Sequence, residues 1–137
     1  PAADAMFPRR YGDLVGDLLA VASEDDPALV ERMFAKRSAR RLESARTRLS
    51  GSLEQRVRSL AGILDEDGYL AEVEAIPGGW RIVERNCAIF DVALRYGHAC
   101  SSELEFLQDA LPTAVVSRVA HRVAGGHICA YEVRPKP

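Results

Sequence analysis

A chain of 137 residues with 47% apolar and 28% charged side chains is long enough to bury a core without disulfides or metals. Its formal net charge of −2 argues against a domain that grips nucleic acid by itself, because such a domain presents a basic face. No apolar run approaches the roughly 18 residues of a membrane span, and no basic segment leads into an apolar stretch as in a signal peptide, so a cytoplasmic protein without membrane association is expected.

In chain order, the first helix is expected from Phe7 to Ser23, starting after Pro8. Tyr11, Leu14, Val15, Leu18, Leu19 and Ala22 recur on it at helical spacing and form one apolar stripe. Asp26 and Pro27 have the chemistry of an N-cap and a first helical position, and predict a second helix carrying Leu29, Val30, Met33 and Phe34. That helix runs into a basic stretch containing Arg37, Arg40, Arg41, Arg46 and Arg48. Such a cluster reads either as a solvated helix face or as a surface near DNA phosphates in a larger parent protein. Gly51 breaks the pattern and Ser52 caps again. Leu53, Val57, Leu60, Ile63 and Leu64 then define a third amphipathic helix ending near Gly68. A chain this small is expected to cover one of these stripes across a two-fold homodimer interface.

The second half changes period. Tyr69 to Ile76 alternates as a half-buried strand does, Pro77-Gly78-Gly79 turns, and Trp80 to Arg85 returns as the second strand of a hairpin. Ala88 to Tyr96 reads as a short helix and Gly97 to Cys100 as a break. Ser101 or Ser102 then caps a helix from Glu103 to Leu111. Val115 to Val123 and Ile128 to Val133 are the last strands, joined at Gly125-Gly126. The expected fold class is α+β: three N-terminal helices followed by a β-β-α-α-β-β unit with a small antiparallel sheet. Residues 1–68 form a helical dimerisation or linker region, and residues 69–137 an α+β sensor domain.

The chemistry centres on Cys87, Cys100 and Cys129, spaced C-x12-C-x28-C. An odd count argues against a disulfide framework. Buried apolar thiols are the ordinary state of free cysteine; metal or cluster ligation is the chemical alternative. Spacings this long put the ligands on different elements, unlike the local C-x-x-C pairs of zinc knuckles. Cys87 and Cys100 fall near expected helix N-termini, which favour thiolates, and three thiolates suit a soft metal or an iron–sulfur cluster. His98, His121 and His127 are the candidate fourth ligands. Trp80, Phe90, Tyr96 and Phe106 are the candidate lining of an apolar small-molecule pocket between sheet and helices. No Gly-rich phosphate loop, nucleophile elbow or HExxH occurs, so no enzyme activity is expected.

The segments Phe7-Pro8-Arg9-Arg10-Tyr11, Leu64-Asp65-Glu66-Asp67-Gly68-Tyr69, Glu84-Arg85-Asn86-Cys87-Ala88-Ile89, Cys100-Ser101-Ser102-Glu103-Leu104 and Gly126-His127-Ile128-Cys129-Ala130-Tyr131 occur in that order. As an ordered set, over about residues 7–134, they resemble the C-terminal portion of SufR-like helix-turn-helix transcriptional regulators, often grouped with ArsR or DeoR types. The resemblance implies a winged helix-turn-helix DNA-binding domain preceding this region in a parent protein, with DNA contacted only through it. It also implies an iron–sulfur cluster on Cys87, Cys100 and Cys129 whose occupancy sets promoter affinity. The sequence departs from the family at Ala88, where proline is common. The last hairpin also resembles the ending of small-molecule domains of the vinyl-reductase type. The expected function is therefore the effector-sensing domain of a bacterial transcriptional regulator. Zinc is the alternative to the cluster, and a metal-free small-molecule regulatory domain is the alternative function.

Overall fold

The computed structural model describes residues 9–137. Its elements are α1 (Tyr11–Asp25), α2 (Leu29–Arg46), α3 (Leu53–Glu66), β1 (Ala71–Ile76), β2 (Gly79–Glu84), α4 (Phe90–Arg95), α5 (Gly97–Ala110), β3 (Ala114–Ala120) and β4 (Cys129–Pro135). The order is that of an α+β fold with three leading helices and a β-β-α-α-β-β unit. The four strands form one antiparallel sheet in the order β1-β2-β4-β3. Phe7 and Pro8, where the first helix was expected to open, lie outside the described residues. Among the described residues no helix is long and apolar enough to cross a membrane.

Local chemistry explains most boundaries. Ser52 accepts from the Gln55 backbone N–H at 3.2 Å while the Gln55 side chain accepts from the Ser52 N–H at 2.8 Å, a reciprocal capping box that starts α3. Asp26 accepts from the Ala28 N–H at 3.1 Å, but α2 begins only at Leu29. Gly78 turns the first hairpin with φ of +80°, a conformation a side chain would strain. The largest difference from the sequence reading is α5. It starts at Gly97, so Cys100 lies within the helix. Ser101 and Ser102 do not cap it; their hydroxyls donate back to the carbonyls of Gly97 and Ala99 at 3.2 and 3.1 Å.

Two apolar cores result. The first joins α3, α5 and the sheet. Val57, Leu60 and Leu64 on the face of α3 are fully buried against Ile82, Phe106, Leu107, Tyr131 and Val133. Each such side chain contributes about 1.5–3 kcal/mol by leaving water. The second core joins α1, α2, α4 and the start of α5 through Leu19, Val30, Phe34, Val92, Ala93 and Ala99. α2 reaches both: its first half supplies Val30 and Phe34, and Ala45 near its end enters the first core. The expected stripe of α1 is mostly not covered. Leu19 is buried, but Tyr11, Leu14, Val15, Leu18 and Val21 remain exposed.

Candidate functional site

β2 leaves the sheet at Glu84, and the irregular segment 85–89 carries Cys87 to the start of α4. α5 supplies Cys100 from its first turns, and β4 opens with Cys129. The three cysteines, free and each partly buried, line one narrow, mainly apolar cavity. Long-range topology achieves this: Cys129 pairs with Glu84 across the β2–β4 ladder, three residues before Cys87. Cys129 packs against the first core, whereas Cys87 and Cys100 pack against the second. The cavity therefore sits at the seam between the two cores.

Burial raises the affinity of all three thiols for their protons, and their mutual proximity adds to it at Cys87 and Cys100. The expectation of thiolates favoured by helix N-termini is thus reversed for the metal-free protein. Partial compensation comes from hydrogen bonds: the Ile89 N–H donates to Cys87, and the Arg122 N–H donates to Cys129 Sγ at 3.4 Å. Among the described residues, no three or more Cys, His, Asp or Glu side chains converge as a ready-made single-ion site.

Of the three candidate histidines, only His121 reaches the cavity. His98 and His127 are exposed. His121 follows β3, and its Nε2 is buried without a hydrogen-bond partner. Burial, and then the Arg118 charge, lower its affinity for a second proton. The β3–β4 connection is not a two-residue turn at Gly125-Gly126. It spans residues 121–128, with an irregularity between Arg118 and Ala120, and this path brings His121 to the cavity. The four aromatic candidates do not share a pocket: Phe106 and Trp80 belong to the first core, Tyr96 to the second, and Phe90 lies under the Arg122 guanidinium at 5.0 Å.

A group of polar side chains that the sequence reading did not single out completes the walls. Glu84 is only 2% exposed. Its carboxyl is pushed up to about 8 by burial first and by the neighbouring Glu103 second, with the nearby Tyr131 hydroxyl acting in the opposite direction. Glu103 is neutralised by Arg41, which reaches across from α2 at 2.5 Å. Arg118 donates to the Cys100 carbonyl at 2.6 Å and stacks over Tyr131 at 5.4 Å. Buried polar atoms normally have partners. Here Tyr69 Oη, Glu84 Oε2, Arg118 Nε and His121 Nε2 have none, and all belong to residues lining this one cavity. No local sequence signal singles out Glu84, which closes a strand with no alternating pattern.

The basic stretch divides. Arg41 turns inward, Arg48 pairs with Glu66 at 2.7 Å on the surface, and Arg37, Arg40 and Arg46 are exposed. No family model matches the chain, and comparison with curated proteins finds no match.

Proposed function

We propose that this chain is the effector-sensing domain of a bacterial transcriptional regulator, and that Cys87, Cys100 and Cys129 hold an iron–sulfur cluster. The observation that carries the reading is the convergence of three thiols, from a loop, a helix and a strand, on one cavity. The donor set fits the group: three soft sulfurs suit iron in a cluster, and unpartnered polar atoms surround them. The cavity is narrow, and part of its wall is irregular backbone: Asn86, Cys87 and Ile89 on segment 85–89, and His121 at the start of segment 121–128.

When bound, the cluster supplies redox-sensitive, oxygen-labile ligation. The chain's own residues do the rest. Cys129 anchors to the sheet core, Cys87 and Cys100 to the helical core, and the Ile89 and Arg122 N–H groups orient two of the sulfurs. Binding releases the thiol protons that burial retains in the metal-free form. The exposed apolar face of α1 supports association of two copies through the N-terminal helices, a face of the kind that marks an interaction surface. DNA contact belongs to a winged helix-turn-helix domain of the parent protein. In this reading the cluster biases the relative placement of two DNA-binding heads.

The test is anaerobic purification and reconstitution with iron and sulfide, followed by visible spectroscopy and metal analysis. Broad absorbance near roughly 400 nm with bound iron, lost on replacing any of the three cysteines by Ala, is expected. Zinc without colour makes the site structural. A colourless, metal-free protein after reconstitution overturns the reading and leaves a small-molecule effector.

A further inference from the structure

We propose that Glu84 is the fourth ligand of the cluster, supplying a carboxylate oxygen beside the three cysteine sulfurs. This rests on the cluster reading above and deepens it. Glu84 shares the cavity with all three thiols, is the ladder partner of Cys129, and stands three residues before Cys87. It is 2% exposed, and its Oε2 has no hydrogen-bond partner.

A carboxyl in that position has an unmet requirement in either protonation state. Ionised, it lacks a cation: Arg41 is committed to Glu103 and Asp67, and Arg118 donates to the Cys100 carbonyl and lies over Tyr131. Protonated, it still leaves Oε2 buried without a hydrogen-bond partner. Coordination to an iron meets the requirement of the ionised form directly. The Tyr131 hydroxyl, on the wall of the same cavity, is then placed to act as an outer partner.

His121 is the competing donor, because its Nε2 is also unpartnered and faces the cavity. It is the weaker candidate on two grounds. Its neutral ring costs little to leave unliganded, and it stands on the irregular segment 121–128, whereas Glu84 is fixed in the sheet ladder. A single oxygen ligand among thiolates also makes one iron distinct from the others. That iron is the one expected to be released first, which suits a sensor that must lose or alter its cluster.

The experiment uses the full chain, reconstituted anaerobically with iron and sulfide, as wild type, E84Q, E84C and H121A. Visible absorbance, the electron paramagnetic resonance of the reduced cluster, iron content and the rate of iron removal by a chelator are recorded. Circular dichroism of each metal-free variant reports folding. E84Q is expected to lose its cluster at least about 10-fold faster than wild type, with a changed resonance signal. E84C is expected to retain it, with stronger sulfur-to-iron absorbance from a fourth thiolate, and H121A to match wild type. Wild-type behaviour of E84Q, or E84C spectra unchanged from wild type, overturns the assignment of Glu84 while the cluster stands. An effect confined to H121A transfers the role to His121. A colourless wild type overturns the cluster reading itself.

Discussion

Replacing Arg41 by Met should be strongly destabilising while leaving the cavity's own side chains unchanged. Arg41 is the cation of a nearly buried pair: its side chain is 15% exposed and that of Glu103 is 6% exposed, with 2.5 Å between them. The same guanidinium bonds Asp67 at 3.1 Å and lies 4.3 Å from the centre of the Phe106 ring. Met fills much of the volume but leaves the Glu103 carboxylate buried without its partner, a defect that costs about 3–5 kcal/mol. The part-exposed bond to Asp67 and the ring contact add at most about 1 kcal/mol each, and the contributions are not additive. With roughly 3–4 °C of melting temperature per kcal/mol for a chain of this size, R41M should melt about 10–20 °C below wild type. Calorimetry of the metal-free protein near pH 7 measures this. The control is R41M combined with E103Q, which removes the stranded charge and should recover more than half of the loss. A loss below about 1 kcal/mol in R41M, or a double variant no more stable than the single one, would refute the view that this pair fastens α2 to α5.

Three further changes test other parts of the structure. Ser52→Ala removes the capping box of α3 and should cost about 1 kcal/mol, read as a lower urea midpoint at unchanged slope. Gly79→Ala places a Cβ on top of the Val133 carbonyl oxygen in the paired strand, with backbone and no flexible side chain to give way. It should cost about 1–3 kcal/mol or more, seen as a fall in melting temperature. Glu84 sets the sign of a pH dependence in the metal-free protein. Its folded carboxyl titrates at about 8 against an ordinary value of 4.5, because of burial and Glu103. Below about pH 4.5 both states hold the proton and nothing is lost. Between there and about pH 8 the folded chain keeps a proton that the unfolded chain has released, so stability falls as pH rises. The loss should amount to a few kcal/mol, and denaturant titrations of E84Q should show a clearly flatter slope over the same interval.

The elements were legible in the sequence wherever a local signal stood alone. Ser52 announces α3, and the alternation from Tyr69 to Ile76 with the Pro77-Gly78-Gly79 turn announces the first hairpin; both satisfy their backbone groups within a few residues. The start of α5 was misread because Ser101 and Ser102 have the chemistry of caps. In the structure their hydroxyls are spent on carbonyls one turn back, so they ride inside the helix. The three cysteines were legible as candidates but not as a cluster, since only the β2–β4 register and the α5 contacts bring them together. Glu84 was not legible at all. Nothing local distinguishes a charged strand residue that faces water, such as Glu72, from one that is buried at a cavity, such as Glu84. His121 depended on the β3–β4 connection, whose irregularity near Arg118 shifts the face presented beyond the strand.

The position of the cavity bears on how binding there would reach the rest of the molecule. Cys100 and Glu103 lie one turn apart on α5, and Glu103 holds Arg41 on α2. The first half of α2 packs through Val30 and Phe34 against Leu19, the buried member of the α1 apolar stripe whose other members are exposed. A continuous set of contacts thus runs from a thiol to the proposed dimer surface. Contact alone transmits nothing; an element with two arrangements is required. The seam between the two cores is the place for it, because the cavity is narrow and its thiols are divided between them. A group held by all three sulfurs would tie the sheet core, through Cys129, to the helical core, through Cys87 and Cys100. Its loss would release that tie. The Arg41–Glu103 pair, bridging α2 and α5 beside that seam, makes the movement of α5 a movement of α2 as well. Amide hydrogen exchange on α1 and α2, compared between the metal-free and the reconstituted protein, reads this coupling directly: altered protection there requires it, and changes confined to residues 84–103 and 118–131 exclude it.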